Sequence, residues 1–482
     1  MTPPADPTLM TAKDLSAVIQ ARQISCRDVM TAHLDRIARF NPAANAIIAL
    51  RDRNTLMAEA GERDAQLARG EVLGWMHGLP HAVKDIAQVR GLPTTLGSPL
   101  LLDNVAVQDS LIVERMRRAG AIIIGKTNVP EFGLGSHTYN TLHGVTHNAY
   151  DPSRSAGGSS GGAAVGLALR MLPVADGSDF GGSLRNPAAW NNVFGLRPSA
   201  GRVPAWPATE SFISQLSTEG PMARTVADLA MLLSTMAGRD ARAPLSLEDD
   251  PSLFAQPLAG ESKGLRIGWL GDYAAKLPME PGVREVCQQG LDRLATIGCR
   301  VEDARLPISR EQIWDTWLGM RHWLTMNSLL PFFNDPAKRA LLKPEAVWEV
   351  EGGLRMSAAD TLRASAQRSA LYQAFLGLFS RFDMLVLPSA QCFAFPAEWD
   401  WPKEIDGTAM DTYHRWMEVV FPASLVGCPV ISVPAGFGGA LDLPMGMQII
   451  APPRQDLALL RLAHAYEQAA GSVLGRLPAV LG

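Results

Sequence analysis

The chain is poor in charge and in cysteine. Asp, Glu, Lys and Arg make up 19% of its 482 residues while 47% are hydrophobic. That balance excludes a disordered chain, which requires low hydrophobicity and high charge. Lys and Arg number 44 and Asp and Glu 48, a net −4 that carries no electrostatic footprint for nucleic acid. The five cysteines, Cys26, Cys287, Cys299, Cys392 and Cys428, form no C-x-x-C pair. Their odd number and wide spacing argue against a disulfide framework and a cysteine zinc site, and a reducing, cytoplasmic setting is expected. A membrane span is also missing. The one long uncharged run, Val419 to Leu441, contains Pro422, Pro429, Pro434 and four glycines, which no single membrane helix tolerates. It reads as buried strands and turns, with 429–434 as a core strand. The opening MTPPADPTLM lacks the basic start and apolar stretch of a signal peptide.

What is present is an α/β texture. Thr11 and Ser25, each followed three residues later by an aspartate (Asp14, Asp28), read as N-caps of two opening amphipathic helices. From about 72 to 235, short apolar runs (82–83, 121–124, 174–175) alternate with glycine-rich loops and helix-like stretches such as 109–119. Residues 240–263 read as a connector. Strands are expected near 265–270, 299–302, 384–388 and 430–434, helices over 281–297 and 455–470, and a strongly helical, aromatic-bearing region over 310–380.

Three motifs compete for the function. Gly120 to Thr127 fits the G-x-x-x-x-G-K-[ST] phosphate loop, but its middle residues Ala-Ile-Ile-Ile form a buried strand, and Asn128-Val129-Pro130 opposes an immediate helix. Nucleotide binding is therefore rejected. His77, His81, His137, His143 and His147 match no metal-ligand spacing and read as loop and surface residues, so no metal is expected. Gly157-Gly158-Ser159-Ser160-Gly161 fits the G-x-S-x-G nucleophile elbow. An elbow follows a strand, however, whereas Tyr150 to Ala156 reads as a loop. A flexible linker is equally poor, because Ala163–Leu169 continues at once into an apolar helix. A glycine-rich turn that feeds a helix N-terminus collects negative charge.

The combination decides between these readings. Ala82-Val83-Lys84-Asp85 precedes Gly157-Gly158-Ser159-Ser160-Gly161-Gly162, which precedes Gly177-Ser178-Asp179-Phe180-Gly181-Gly182-Ser183-Leu184-Arg185-Asn186-Pro187. This order closely resembles the amidase signature family, amide hydrolases with a Ser–cis-Ser–Lys triad. The similarity continues through Gly125-Lys-Thr-Asn, Glu131-Phe-Gly, 195–204, 220–225 and 443–450, nearly the whole chain. It implies a single large α/β domain over 1–482, with a central twisted mixed sheet covered by helices on both faces. Residues 72–235 would be the catalytic core, and 305–420 a variable, aromatic-rich helical region shaping the substrate pocket. It further implies Ser183 as nucleophile, Ser159 as bridging serine after a cis peptide bond from Gly158, and Lys84 as base. An oxyanion hole would come from the N–H groups of Phe180, Gly181, Gly182 and Ser183, with support from Ser160, Ser178, Asp179 and Arg185. No cofactor is implied, and homodimers are frequent in the family.

These residue types suit the chemistry. A serine hydroxyl becomes a nucleophile only when its proton has somewhere to go. A desolvated lysine loses its charge more readily, and its free amine can take that proton through a second hydroxyl. For Lys84 to be neutral, Asp85 must point away from it. The substrate is less legible. Seven of eleven tryptophans follow residue 313, and Trp314, Trp317, His322, Trp323, Phe332 and Phe333 crowd one helical stretch. Core packing explains such a cluster, and so does an aromatic pocket for a small neutral amide, although Arg321 or Lys403 could there pair with a carboxylate. The main alternative is the glutamine-hydrolysing amidase component of a tRNA-dependent amidotransferase complex. Its usual Ser-Leu-Asp-Gln-x-Gly-Pro is here Gln215-Leu-Ser-Thr-Glu-Gly-Pro221, without the Asp-Gln pair.

Overall fold

A computed structural model describes residues 6–481. Among these residues are thirteen strands: β1 (Ile47–Ile48), β2 (Pro80–Lys84), β3 (Ile122–Thr127), β4 (Ala175–Asp179), β5 (Phe194–Arg197), β6 (Thr218–Ala223), β7 (Arg266–Trp269), β8 (Arg300–Asp303), β9 (Met384–Pro388), β10 (Glu404–Ile405), β11 (Thr408–Ala409), β12 (Val430–Gly438) and β13 (Leu443–Ile450). Eight of them form one mixed sheet in the order β4-β6-β5-β12-β13-β9-β7-β8. Its pairs are antiparallel from β4 to β9, and β9-β7-β8 are parallel. A second sheet, β1-β3-β2, stands apart, and β10 and β11 form a small hairpin.

Successive residues of β13 show how the main sheet is covered. Gly446 faces Ala189 in the helix Arg185–Trp190, while Met447 faces Gly290 in the helix Val283–Thr296, beside Tyr466 in the helix Asp456–Ala469. Neighbouring strand residues point to opposite faces, so helices lie on both. One contiguous apolar core runs through strands and helices. A smaller cluster of Leu134, Leu329, Phe333, Leu342, Ala346, Val350 and Tyr413 lies beneath the helical region. That region, expected to be strongly helical over 310–380, holds four helices, Arg310–Phe333, Pro336–Arg339, Pro344–Leu354 and Ala358–Phe379. Prolines open the second and third, where a missing N–H costs nothing.

The opening helices are Ala12–Gln20 and Cys26–Ala44. The Ser25 hydroxyl accepts from the Asp28 N–H, and the Asp28 carboxylate accepts from Ser25 in return, a complete capping box, whereas Thr11 supplies only the forward bond. The phosphate-loop look-alike is the strand β3, and Lys126 is buried beneath it against Asp85 and the Ala87 carbonyl. No described helix is long and apolar enough to cross a membrane.

Gly195 in β5 marks a close approach in the sheet, where a Cβ would overlap the Leu184 carbonyl and crowd Ala188. Gly195→Ala is therefore expected to destabilise the protein by about 2 kcal/mol or more, as overpacking does. The check is a lower midpoint in urea denaturation.

Candidate active site

Lys84 is the last residue of β2 and is fully buried. The edge of β2 meets the edge of β4 through a side chain rather than a ladder. Asp176 in β4 accepts from the Lys84 backbone N–H at 3.2 and 3.3 Å, and its Oδ1 lies 2.9 Å from His81 Nε2. The Lys84 Nζ then reaches Ser159 Oγ and Ser160 Oγ, each at 2.8 Å, Ser178 Oγ at 3.0 Å and the Ser178 carbonyl at 3.2 Å. Among the described residues, no carboxylate touches the ammonium. Asp85 is turned to the other side, where it accepts from Thr95 N–H and Oγ1 and pairs with Lys126 at 3.4 Å. Burial is the main influence on Lys84. It lowers the amine to about 7 against the opposing pull of Asp176, Asp179 and Glu219.

The two serines of the glycine-rich loop are held by their own turn. The Gly158–Ser159 peptide is cis. Thr138 Oγ1 donates to the Gly157 carbonyl at 2.7 Å and accepts from Gly161 N–H at 3.2 Å, while the Ser136 hydroxyl donates to the Gly158 carbonyl. The helix Gly161–Ala168 follows at once, pressed so closely that a Cβ on Gly162 would strike the backbone of Ala46 and Asn128.

Ser183 lies on the turn between β4 and the helix Arg185–Trp190, and a single buried carboxylate shapes that turn. Asp179 accepts from Gly182 N–H at 2.8 Å, Leu184 N–H at 3.1 Å, Arg185 Nε and Nη2 at 3.1 Å, and Arg197 Nη1 at 3.4 Å. Burial alone would raise this carboxyl, but Arg185 and Arg197 outweigh it and hold the group well below the usual carboxylate range. Arg185 extends the network to the Val420 carbonyl at 2.9 Å, Gln448 Oε1 at 2.7 Å and Ser424 Oγ at 2.5 Å.

The turn departs from the sequence reading at one position. Gly182 N–H donates to Asp179 and so is not free for an oxyanion. Among the described residues, the Phe180, Gly181 and Ser183 N–H groups donate to no protein acceptor. Gly182 instead supplies a backbone conformation, φ +102°, that a residue with a Cβ rarely adopts. The Ser159 and Ser183 hydroxyls share no hydrogen bond, although their segments touch where Ser160 N–H meets the Ser183 carbonyl at 3.3 Å.

In the aromatic-rich stretch after residue 313, Trp317 packs against this turn and Trp314 is buried beside Phe421. Trp317 is 1% and Trp314 7% exposed. Trp317 stacks on Phe421, meets Phe180 edge-on, and fills the space a Gly181 side chain would take. The crevice among Leu134, Tyr139, Trp401, Tyr413 and Trp416 encloses about 10 Å³. Arg321, weighed in the sequence as a free cation, stacks on Phe180 at 4.6 Å and is bound to Glu349 at 3.1 Å and Tyr413 at 2.9 Å. Burial opposes the charge on Glu349, but a hydrogen bond from His322, the nearby His414 and the charge of Arg321 hold this carboxyl well below the usual range. Lys403 lies over the Trp401 ring. The Glu349 cluster carries no signal in the sequence, because its members come from three separate segments.

His77 meets the Arg63 carbonyl, His137 the Ala397 carbonyl and His147 the Pro152 carbonyl. No group of three or more metal-ligating side chains occurs among the described residues.

Comparison with known proteins identifies the family. The amidase family model matches residues 28–460. The chain belongs to the amidase family. This amidase is 33% identical over 461 residues to an acylamidase of Rhodococcus erythropolis, with 95% of each chain covered. It is 34% identical to a glutamyl-tRNA(Gln) amidotransferase subunit of Acidothermus cellulolyticus, covering 97% of this chain and 95% of the other. Its fold superposes on the crystal structure of a bacterial aryl acylamidase of the amidase signature family with a TM-score of 0.89 and 29% identity, covering 97% of this chain and 98% of that one. It is thus an amidohydrolase acting on amide C–N bonds.

Asp179→Asn removes the anion between two buried guanidinium groups and is expected to cost about 3–5 kcal/mol. Because the folded carboxyl is held below its unfolded value, its contribution is full above the unfolded pKa of about 4 and is lost as pH falls toward the folded value. Denaturation between pH 7 and pH 3 should therefore show wild type losing more stability than the variant.

Proposed function

We propose that this amidase cleaves small, neutral, largely apolar amides through an acyl-enzyme on Ser183. The observation that carries the reading is the buried Lys84 amine, 2.8 Å from Ser159 Oγ with no carboxylate beside it, next to the turn that bears Ser183. Neutral Lys84 takes the Ser159 proton while Ser159 takes the proton of Ser183. The Ser183 oxygen then attacks the amide carbon. The carbonyl oxygen gains negative charge opposite the free N–H groups of Phe180, Gly181 and Ser183, and one such donor is worth roughly 2.7–4 kcal/mol in the transition state. As the C–N bond breaks, the proton returns from Lys84 through Ser159 to the departing nitrogen. Water, deprotonated along the same relay, releases the acid and restores Ser183. The first transfer requires the Ser183 or Ser159 side chain to rotate into hydrogen-bonding range, an adjustment that substrate binding can drive. Ser160 and Ser178 complete the acceptor set around the ammonium. Asp179 and Arg185 hold the turn.

Three observations support the substrate class. The acyl-transfer turn is backed by Phe180 and Trp317, and the nearby cation Arg321 is already neutralised by Glu349. The positions of the missing Asp-Gln pair are Ser217 and Thr218. Acylamidases stand among the relatives in both sequence and fold. A charged substrate would need a partner that this wall lacks. Glutamine is the competing substrate, favoured by the 34% identity to a glutamyl-tRNA(Gln) amidotransferase component.

Two experiments test the reading. A fluorophosphonate should add its mass to Ser183 and to no other serine, and Ser183→Ala should abolish labelling; labelling of Ser159 in its place would overturn the assignment. For a phenylacetyl or benzoyl amide, kcat/KM should exceed that for glutamine, and the reverse order would defeat the substrate class. The kcat/KM profile should rise through about pH 7, as Lys84 loses its proton, to an alkaline plateau. Lys84→Ala should lose at least about 100-fold at that plateau.

A further inference from the structure

A cavity of about 220 Å³ lies between the starts of the helices Ala12–Gln20 and Val226–Met236, the turn 191–193 and residues 474–478. Lys84, Ser159 and Ser183 are not among its walls. Those walls hold two arginines, Arg170 and Arg224, and no aspartate or glutamate. Arg224 donates to the carbonyls of Thr8, at 3.2 Å, and Met10. The Arg170 side chain donates to no described residue. Neither guanidinium meets a carboxylate among the described residues, and the Nε of each is buried without a partner. The charged groups around them are engaged elsewhere. Arg36 pairs with Asp6 at 3.1 Å, and Arg476 with Asp442 at 2.6 Å. Asp228 accepts from the N–H groups of Ala12 and Lys13, each at 2.9 Å, and Glu467 from that of Val226 at 3.2 Å. His33 Nδ1 lies 3.1 Å from the Met171 carbonyl. Burial first, and then the charge of Arg170, lowers Arg224 to about 9, while burial and the charge of Arg36 lower Arg170. The cations thus crowd one another in a space without an anion of its own.

We infer that this cavity binds a phosphate group, either inorganic phosphate or the phosphate end of a small monoester. Two guanidinium charges match a dianion, and Arg is the side chain best shaped to hold phosphate oxygens. Two hydroxyls on the wall add donors. Thr11 and Thr225 cap their helices by accepting from the N–H groups of Asp14 and Asp228, each at 3.1 Å, so the proton of each hydroxyl is unspent among the described residues. The tetrahedral oxygens of a phosphate can take donors from several sides, whereas a planar carboxylate is satisfied by one guanidinium fork. Asn192, 8% exposed, also lines the cavity, and its Oδ1 is buried without a partner. A phosphate that keeps one proton can donate to that oxygen, which would otherwise stand as an unsatisfied buried group. Leu9, Val193, Leu474 and Leu477 supply an apolar part of the wall, which suits a short organic group on the phosphate.

The test is calorimetric titration of the full chain, at constant ionic strength, with inorganic phosphate and with butyl phosphate. Saturable one-to-one binding is expected, and chloride in place of phosphate should give none. Arg170→Gln removes a cation without removing a protein hydrogen bond. The variant should therefore fold with an unchanged or higher melting midpoint, and should bind phosphate at least about tenfold more weakly. Arg170→Lys keeps the charge, and its affinity should fall between those of wild type and Arg170→Gln. Protein already labelled on Ser183 by a fluorophosphonate should bind phosphate as before, which separates this cavity from the acyl-transfer turn. Tighter binding of butyl phosphate than of inorganic phosphate would assign the cavity to a monoester, and equal binding would assign it to the free ion. Absence of saturable binding of both probes to wild type, an unchanged affinity in Arg170→Gln, or loss of binding once Ser183 is labelled would overturn the proposal.

Discussion

The geometry of the site depends on one buried ion cluster, the Asp179 carboxylate between Arg185 and Arg197. Asp179 fixes the turn from inside by taking the N–H groups of Gly182 and Leu184, the two residues flanking Ser183. Arg185 fixes it from outside by reaching the Val420 carbonyl, Ser424 and Gln448, which ties the turn to the segment 420–424 and to β13. Breaking a buried pair leaves an uncompensated charge, so neither partner can change alone. The position of the Ser183 hydroxyl is thus set by electrostatics a few ångströms below it, and the glycines merely allow the backbone to follow.

Much of this is legible in the sequence, and the reasons are local. Ala-Ile-Ile-Ile at 121–124 is too apolar for a phosphate cradle, and Ile122–Thr127 is a strand. Ser25 with Asp28 is a capping box in both sequence and structure. The order of the lysine and the two serine motifs points to the family, and the fold gathers Ser159, Ser160 and Ser178 within hydrogen-bonding distance of a single amine, that of Lys84.

What escapes the sequence depends on register and rotamer. That Gly182 N–H is taken follows from where the Asp179 side chain points, and no spacing rule reports that. In the sequence, Glu219 is only one letter of a stretch lacking an Asp-Gln pair. Its place opposite Ser178 appears only when β4 and β6 pair. The tryptophans after residue 313 are open to two readings, and helix packing settles Trp314 and Trp317 as core. The helical character of 310–380 is legible, while the breaks before Pro336 and Pro344 emerge only in the structure.

Lys84 and Ser178 stand on different sheets. Lys84 ends a strand of the small sheet, whereas Ser178 belongs to the large one, and no backbone ladder joins the two edges; the Asp176 side chain does. A slippage between the sheets of about an ångström would part the amine from its hydroxyl partners while leaving almost every helix and strand intact. Turnover is consequently a finer gauge of that seam than any signal averaged over the chain. A preparation can keep its full circular dichroism spectrum and still have lost the contact between Lys84 and its serines.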